Sequence, residues 1–400
     1  MKHAFFLAPA GTGAGLTTVS LGLVNALDRR GVRVAFFKPI SQLTDSVSGV
    51  ELERSTHFIR ATTTLQPADP IPVTTATKMI SEGRLDELLG QVLAAFHHST
   101  GTADVVVIEG LRFARGDSRL GNLNQEIIKS LNAEVILVVS CADKSTDQLD
   151  EQIEYTAKIF GGIHKLLGVI VNHYPISEDV TLPSPAERFR SESQLFRRGT
   201  VHLIGVVPQS DSLTYPRTLD IQRHLKAEVL HAGEMELRRV KKKHLVSRTV
   251  PNNLHTLVPG AILITAADRN DIIVAAALAA LSHVPLAGVI LTGDMPLDER
   301  IVEFCRPALE TGLPLLRTKT NSYDTATQLF QLSSAVAADD LERTRAAVEH
   351  VAQSLDVEQL ISQSKKELEF RLSPAAFLYQ LTEKARAANK RIVLPEGTEP

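Results

Sequence analysis

Six apolar runs, spread through the first 215 residues and separated by helical patterns, constrain the fold more than any other feature. They cover residues 3–7, 32–37, 104–108, 134–139, 166–171 and 202–206. Most are continuous Val/Ile/Leu stretches with little alternation, the pattern of parallel strands buried on both faces. Between the first two, Leu16, Val19, Leu23, Ala26 and Leu27 form one helical stripe that Gly31 closes. Residues 147–160 read as a further helix, ended by Gly161-Gly162. Strand and helix in alternation predict a doubly wound α/β domain with a mostly parallel sheet, whose ligands gather beyond the C-terminal ends of the strands.

The loop after the first run reads Pro9-Ala10-Gly11-Thr12-Gly13-Ala14-Gly15-Leu16-Thr17-Thr18. A phosphate-binding loop of the Walker A kind needs Gly, four residues, then Gly-Lys-Ser/Thr. Its N–H groups surround phosphates, its lysine neutralises them and its hydroxyl holds Mg²⁺. Gly15 and Thr17 align with that pattern, but Ala10 replaces the first glycine and Leu16 the lysine. A hydrogen bond to a charged group contributes about 1.5–3 kcal/mol, so this loss weakens phosphate binding roughly ten- to hundredfold. Gly11, Gly13, Gly15, Thr17 and Thr18 still form a glycine-rich helix N-terminus, which attracts anions. A purely structural loop and a residual anion site both fit. Either way ATP binding is expected to be weak or absent, and hydrolysis negligible.

Three further residues fall at strand ends on the same edge: Lys38 after the second run, Glu109 after the third, and Asn172 after the run "GVIVN". Together with the loop they resemble the dethiobiotin synthetase-like branch of P-loop proteins. That resemblance implies an ammonium near the phosphate pocket from Lys38, a Mg²⁺ ligand from Glu109 and a base-edge reader in Asn172.

A second α/β unit follows, with boundaries expected at 216–335. Residues 261–265 and 286–292 read as strands, 297–310 as one helix closed by Gly312 and Pro314, and Leu315-Leu316 as the start of another strand. Asp268 is expected to cap a helix, with Asp271 three residues on in a variant of the capping box. Thr265, Asp268, Arg269, Thr292 and Gly293 resemble the DRTGG-type pattern and are the candidate binding residues there. Residues 177–200, with two prolines, read as an exposed excursion, and 336–371 as a charged helical connector with little apolar face.

The last stretch, 372–400, pairs a helix with one short strand. Ser373 and Pro374 open the helix, Phe377, Leu378, Leu381 and Ala385 share a face, and 391–394 leads to Pro395-Glu396-Gly397. The segment "FLYQLTEKARAANKRIVLPEG" is similar to the entry into the catalytic domain of phosphate acetyltransferases. In long bacterial forms a P-loop-like domain (1–215 here) and a DRTGG-type domain precede that catalytic domain. The resemblance spans the whole chain and implies the N-terminal portion of such an enzyme, truncated after the catalytic domain has begun.

The implied reaction interconverts acetyl-CoA plus phosphate with acetyl phosphate plus CoA. It needs a base for the thiol, cations for the phosphate and donors for the carbonyl oxyanion. In the family these groups belong to the catalytic domain, so no catalytic residue and no cofactor is assigned here, and CoA and acetyl-CoA are substrates of the absent domain. The implied partners are small-molecule metabolites and further copies of the chain. An ATP-dependent ligase of the dethiobiotin synthetase type, disfavoured by Leu16 and Ala10, and a stand-alone metabolite-sensing module are the alternatives.

A net charge of −3 with 22% charged residues argues against a nucleic-acid partner. The one basic run, Arg238, Arg239 and Lys241 to Lys243, reads as a solvated linker or helix face. Two cysteines make no disulfide framework, consistent with a cytoplasmic setting. The uncharged stretch 4–27 is broken by glycines, threonines and a proline, and reads as a strand, a turn and a helix rather than a signal peptide. No His-Glu-x-x-His, Cys-x-x-Cys or Gly-x-Ser-x-Gly motif occurs, and no metal site is expected.

Overall fold

The six apolar runs become six parallel strands of one sheet. Across it they stand in the order Leu203–Pro208, Leu166–Tyr174, Glu134–Ser140, His3–Pro9, Val105–Glu109, Val34–Phe37. His3–Pro9 lies between Val105–Glu109 and Glu134–Ser140, and the chain order reverses there. The crevice beyond its C-terminal end is therefore the topological switch point, where such sheets bind ligands. The helix Leu16–Arg29 starts there. Its Val19, Leu23 and Leu27 are fully buried, and Gly31, at φ 72°, supplies the left-handed turn that ends it.

The structure is a computed structural model that describes residues 3–42, 44–47, 50–112, 118–176, 183–295, 298–332 and 336–364. The chain divides into one unit built from Met1–Gln209 with the segment returning at Ala338, and a second spanning Ser210–Ala337. The stretch 372–400, with its expected helix and strand, lies outside the described residues. Among the described residues no helix is long and apolar enough to cross a membrane.

Two expectations for the first unit are corrected. The charged stretch after residue 338 is no connector. Its helices Leu341–Gln353 and Val357–Ser364 pack into the first unit, burying Arg343, Thr344, Ala347, Val348, Val351, Ala352, Val357 and Leu360. Gly22 of the Leu16–Arg29 helix leaves room for Val351, and Arg29 and Arg30 pair with Glu349 and Glu358. The Asp356 N–H donates to Ile204 O at 2.7 Å, fastening the segment to the last strand of the sheet. The buried face mixes Val348, Val351, Val357 and Leu360 with Arg343, Thr344, Ala347 and Ala352, and the charged residues between them hid it from the sequence reading.

The described part of 177–200 is likewise no exposed excursion. It forms the helices Pro185–Glu192 and Gln194–Arg197, whose Phe189, Leu195 and Phe196 enter the core. The Ser184–Glu187 capping box starts the first, and Asp150 receives the Ser193 hydroxyl at 2.6 Å and the Gln194 N–H at 2.9 Å. Three apolar residues among serines and arginines are enough to anchor two short helices.

Among the described residues the second unit carries five strands in the order Glu228–His231, Leu315–Thr318, Gly288–Thr292, Ala261–Ala266, Lys242–Leu245, of which the first runs antiparallel. The helix Asn270–Leu281 packs on one face, and Thr218–Leu225 with Ser322–Phe330 on the other. The helix expected over 297–310 is two, Glu299–Phe304 and Arg306–Leu309, because Pro307 opens a new first turn. Part of the basic run is an edge strand rather than a linker or helix face. Lys243 Nζ donates to Leu329 O at 2.8 Å and Arg238 Nη2 to Thr311 O at 2.8 Å.

Candidate functional site

The glycine loop is held in shape by protein contacts on three sides. The Ala10 N–H donates to Val138 O at 2.8 Å, tying the loop to the neighbouring strand. Gln152, on the Thr146–Ile159 helix, donates from its side-chain amide to Ala10 O. Asn172 Nδ2 donates to Ala14 O at 3.0 Å, while its Oδ1 accepts the His173 N–H at 2.9 Å. Both ends of the Asn172 amide are thus engaged, and the residue latches the loop. Its strand runs on to Tyr174. Gly15 has φ 74°, and a Cβ there would sit 2.3 Å from Asn172 Nδ2, so the loop requires glycine at this position.

Leu16 is 2% exposed, so the side chain in the lysine's place belongs to the core. The N–H groups of Gly13, Gly15, Leu16 and Thr17 find no acceptor among the described residues. Gly11 is half-buried against Gln152, Gly13 is exposed, and Thr18 is half-buried on the first helical turn.

Lys38, Glu109 and Thr17 meet at the switch point. Lys38 Nζ lies 2.9 Å from Glu109 Oε1 and 3.1 Å from Gly110 O, and both side chains are almost completely buried. Thr17 Oγ1 donates to the same Glu109 oxygen at 3.2 Å. Sequence reasoning missed the fourth member, Ser55, whose hydroxyl donates to Glu109 Oε1 at 2.9 Å and lies 3.1 Å from Thr17 Oγ1. Ser55 sits on the first turn of the helix Arg54–Thr62, which follows a hairpin outside the main sheet, and belongs to no motif. Glu109 Oε1 therefore accepts three donors, while Glu109 Oε2 is buried with no partner among the described residues.

Beside the loop, His173 Nδ1 lies 2.9 Å from Ser140 Oγ, and burial pushes the imidazole below its ordinary pKa. Cys141 and Cys305 are buried free thiols whose pKa values burial raises.

In the second unit Thr265, Thr292 and Gly293 are engaged with nearby backbone carbonyls. Thr265 Oγ1 donates to Val246 O at 3.3 Å, and Thr292 Oγ1 donates to Thr265 O at 3.1 Å and lies 2.6 Å from Ser322 Oγ. Gly293, at φ 87°, donates its N–H to Thr320 O at 2.9 Å. The expected cap is corrected: Asp268 is exposed, the N-cap is Arg269, and no side chain caps the helix. Arg269 instead binds Asp271 at 2.8 Å and Ser247 O at 3.0 Å, which takes Asp271 away from a capping box.

Residues 3–217 match the sequence family described as an AAA domain, and residues 220–332 the one described as a DRTGG domain. A phosphate acetyltransferase of Pseudomonas aeruginosa is 43% identical over 405 residues, covering 100% of this chain and 57% of that protein. The Escherichia coli phosphate acetyltransferase is 38% identical over 419 residues, covering 100% and 58%. The chain thus spans just over half the length of the curated relatives it matches. Among solved structures, the septum site-determining protein MinD complexed with Mg-ADP from Pyrococcus horikoshii is 18% identical with a TM-score of 0.33, over 53% of this chain and 84% of that one.

Proposed function

We propose that this chain, which belongs to the AAA domain family through residues 3–217, is the supporting N-terminal part of a phosphate acetyltransferase. The complete enzyme would interconvert acetyl-CoA plus phosphate with acetyl phosphate plus CoA. In this reading the two units assemble copies of the enzyme and respond to metabolites, while CoA, acetyl phosphate and the reacting groups belong to the remaining part. The observation that carries it is the 43% identity to the Pseudomonas protein, which runs through all of the chain and so through both units in order. A MgATP-dependent ligase is disfavoured because Leu16 buries an apolar side chain where the phosphate-binding lysine would stand. Buried, unpaired thiols are consistent with a reducing cytoplasm.

The test is direct. The purified 400-residue chain, given acetyl phosphate and CoA, should form no acetyl-CoA above a blank, and should sediment as a homo-oligomer. Fusing it in frame to the remaining portion of a relative should give an oligomeric enzyme that makes acetyl-CoA. Acetyl transfer by the chain alone, MgATP-dependent ligase activity, or a monomer at micromolar concentration would each contradict the proposal.

A further inference from the structure

The helix Asn270–Leu281 of the second unit is apolar almost all the way round. After Asn270 and Asp271 it reads Ile-Ile-Val-Ala-Ala-Ala-Leu-Ala-Ala-Leu, with no further polar side chain. A surface helix needs only one apolar stripe, and a helix apolar on every side belongs in an interior. Ile272, Ile273, Ala276 and Ala280 face the core of the unit. A second apolar stripe faces outward: Val274 and Ala275 are half-buried, Leu278 is 64% exposed and Leu281 48%. The steps of four and three residues from Val274 to Leu278 to Leu281 are those of a helix-packing seam. Leu254 directly follows, and Phe304 ends, a short helix packed beside this one, and both side chains are exposed. The unit thus presents a connected apolar face of the kind that marks an interaction surface.

Shape and charge both select the occupant. The seam runs along a convex helix, so it suits the side of another helix rather than an extended peptide. Turned antiparallel about a two-fold axis at Leu278, it is complementary to itself, as an isologous contact requires. Leu281 then falls beside the partner's Val274 and Ala275, and Leu278 beside the partner's Leu278. The two ends of the helix differ in charge. At the N-terminal end Asp268 and Asp271 outnumber Arg269, while the C-terminal end carries the exposed His283 and no acid between Leu281 and Leu286. Antiparallel packing brings each acidic end to the partner's His283 and sets the two helix dipoles favourably; parallel packing would oppose like ends. We propose that two copies of the chain associate through this face, their Asn270–Leu281 helices antiparallel about a two-fold axis at Leu278. The proposal names a surface for the assembly read above and rests on that reading.

Cysteine cross-linking of the 400-residue chain tests it. Packed helix axes lie about 8–10 Å apart and each Cα about 2.3 Å from its axis, so facing Cα atoms come within about 3.5–5.5 Å. That overlaps the span of about 4.4–6.8 Å that a disulfide bridges. Oxidised Leu278→Cys should therefore run as a covalent dimer on a non-reducing gel. Gly90→Cys, exposed on the other unit, and the unmodified chain, whose Cys141 and Cys305 are buried, should not. Leu278→Glu puts an unpaired carboxylate into the seam and should raise the dissociation constant at least about tenfold in sedimentation, with an unchanged far-UV circular dichroism melt. No covalent dimer from Leu278→Cys, the result if residues 365–400 or a different protein cover this face, overturns the proposal. So does sedimentation of Leu278→Glu identical to that of the unmodified chain. An oligomer that persists in either case leaves the acetyltransferase reading standing, whereas acetyl transfer by the chain alone would end that reading and leave the dimer.

Discussion

Two helical glycines, replaced by the same residue, should shift stability in opposite directions. Gly90 lies on the exposed side of the helix Leu85–Thr100, and a Cβ there would meet nothing within 4 Å. Gly90→Ala should therefore stabilise by about 0.8–1 kcal/mol, the difference in helix propensity. Gly22 faces the returning helix Leu341–Gln353. A Cβ there would sit 2.3 Å from Val351 Cγ1 and 2.5 Å from Val351 Cβ, whereas nonbonded carbons rest at about 3.5–4.0 Å.

Rotating Val351 moves Cγ1 but not Cβ, so the helices themselves have to separate. Overpacking of this kind costs about 1–3 kcal/mol. Set against the propensity gain of about 1 kcal/mol, Gly22→Ala should destabilise by about 0–2 kcal/mol. The two variants should thus differ by about 1–3 kcal/mol. Urea unfolding followed by far-UV circular dichroism measures the difference. Hydrogen exchange locates it: Leu341–Gln353 amides should exchange faster in Gly22→Ala and unchanged in Gly90→Ala. If Gly22→Ala stabilised as much as Gly90→Ala, the returning helix could not be packed against Leu16–Arg29 as described.

Removing one member of the buried ion pair should be severe: Lys38→Met leaves a buried carboxylate uncompensated, at a cost of about 3–5 kcal/mol, and adding Glu109→Leu should restore most of that in a calorimetric melt. Gly15→Ala, at φ 74° and with its Cβ 2.3 Å from Asn172 Nδ2, should lose more than about 1 kcal/mol in urea unfolding. Burial pushes the Glu134 carboxyl above its ordinary range, with His3 opposing. A carboxyl whose folded pKa is raised favours the protonated state, so its stability contribution is full below the unfolded pKa of about 4.3 and is lost as pH rises through the folded value. Glu134→Gln should therefore gain on the unmodified chain across that window, and equal pH profiles would contradict it.

The sheet of the first unit was legible because parallel strands buried on both faces leave continuous Val/Ile/Leu runs such as Val105 to Ile108, which are hard to mistake. The loop was legible because Gly15 and Thr17 keep their places in a glycine-rich run after the first strand. Lys38 and Glu109 were found from their positions at the C-terminal ends of strands, the edge of such a sheet along which ligands bind. Ser55 had no such marker: it reaches Glu109 from a helix that follows a hairpin, and only the three-dimensional path brings it there. The returning helices were misread for the opposite reason. Periodicity detects large apolar side chains, but the contact at Gly22 and Val351 works by removing bulk, with Ala347 and Ala352 beside it.

Asn172 shows the limit most clearly, and it bears on what the loop does. Its place at a strand end suggested a residue that reads a ligand, yet both ends of its amide are consumed by Ala14 O and its own neighbour's N–H. With Gln152 on Ala10 O and Val138 on the Ala10 N–H, the loop is held at both ends before any ligand arrives. A Walker loop has a lysine that also helps order it around phosphate; here the ordering comes from the protein, and the lysine's place is given to the core through Leu16. Preorganisation of this sort lowers the entropic cost of binding without supplying charge. Such a loop should favour a small anion over a triphosphate, because backbone donors suffice for the first and the second needs cations that this crevice has already spent on Glu109.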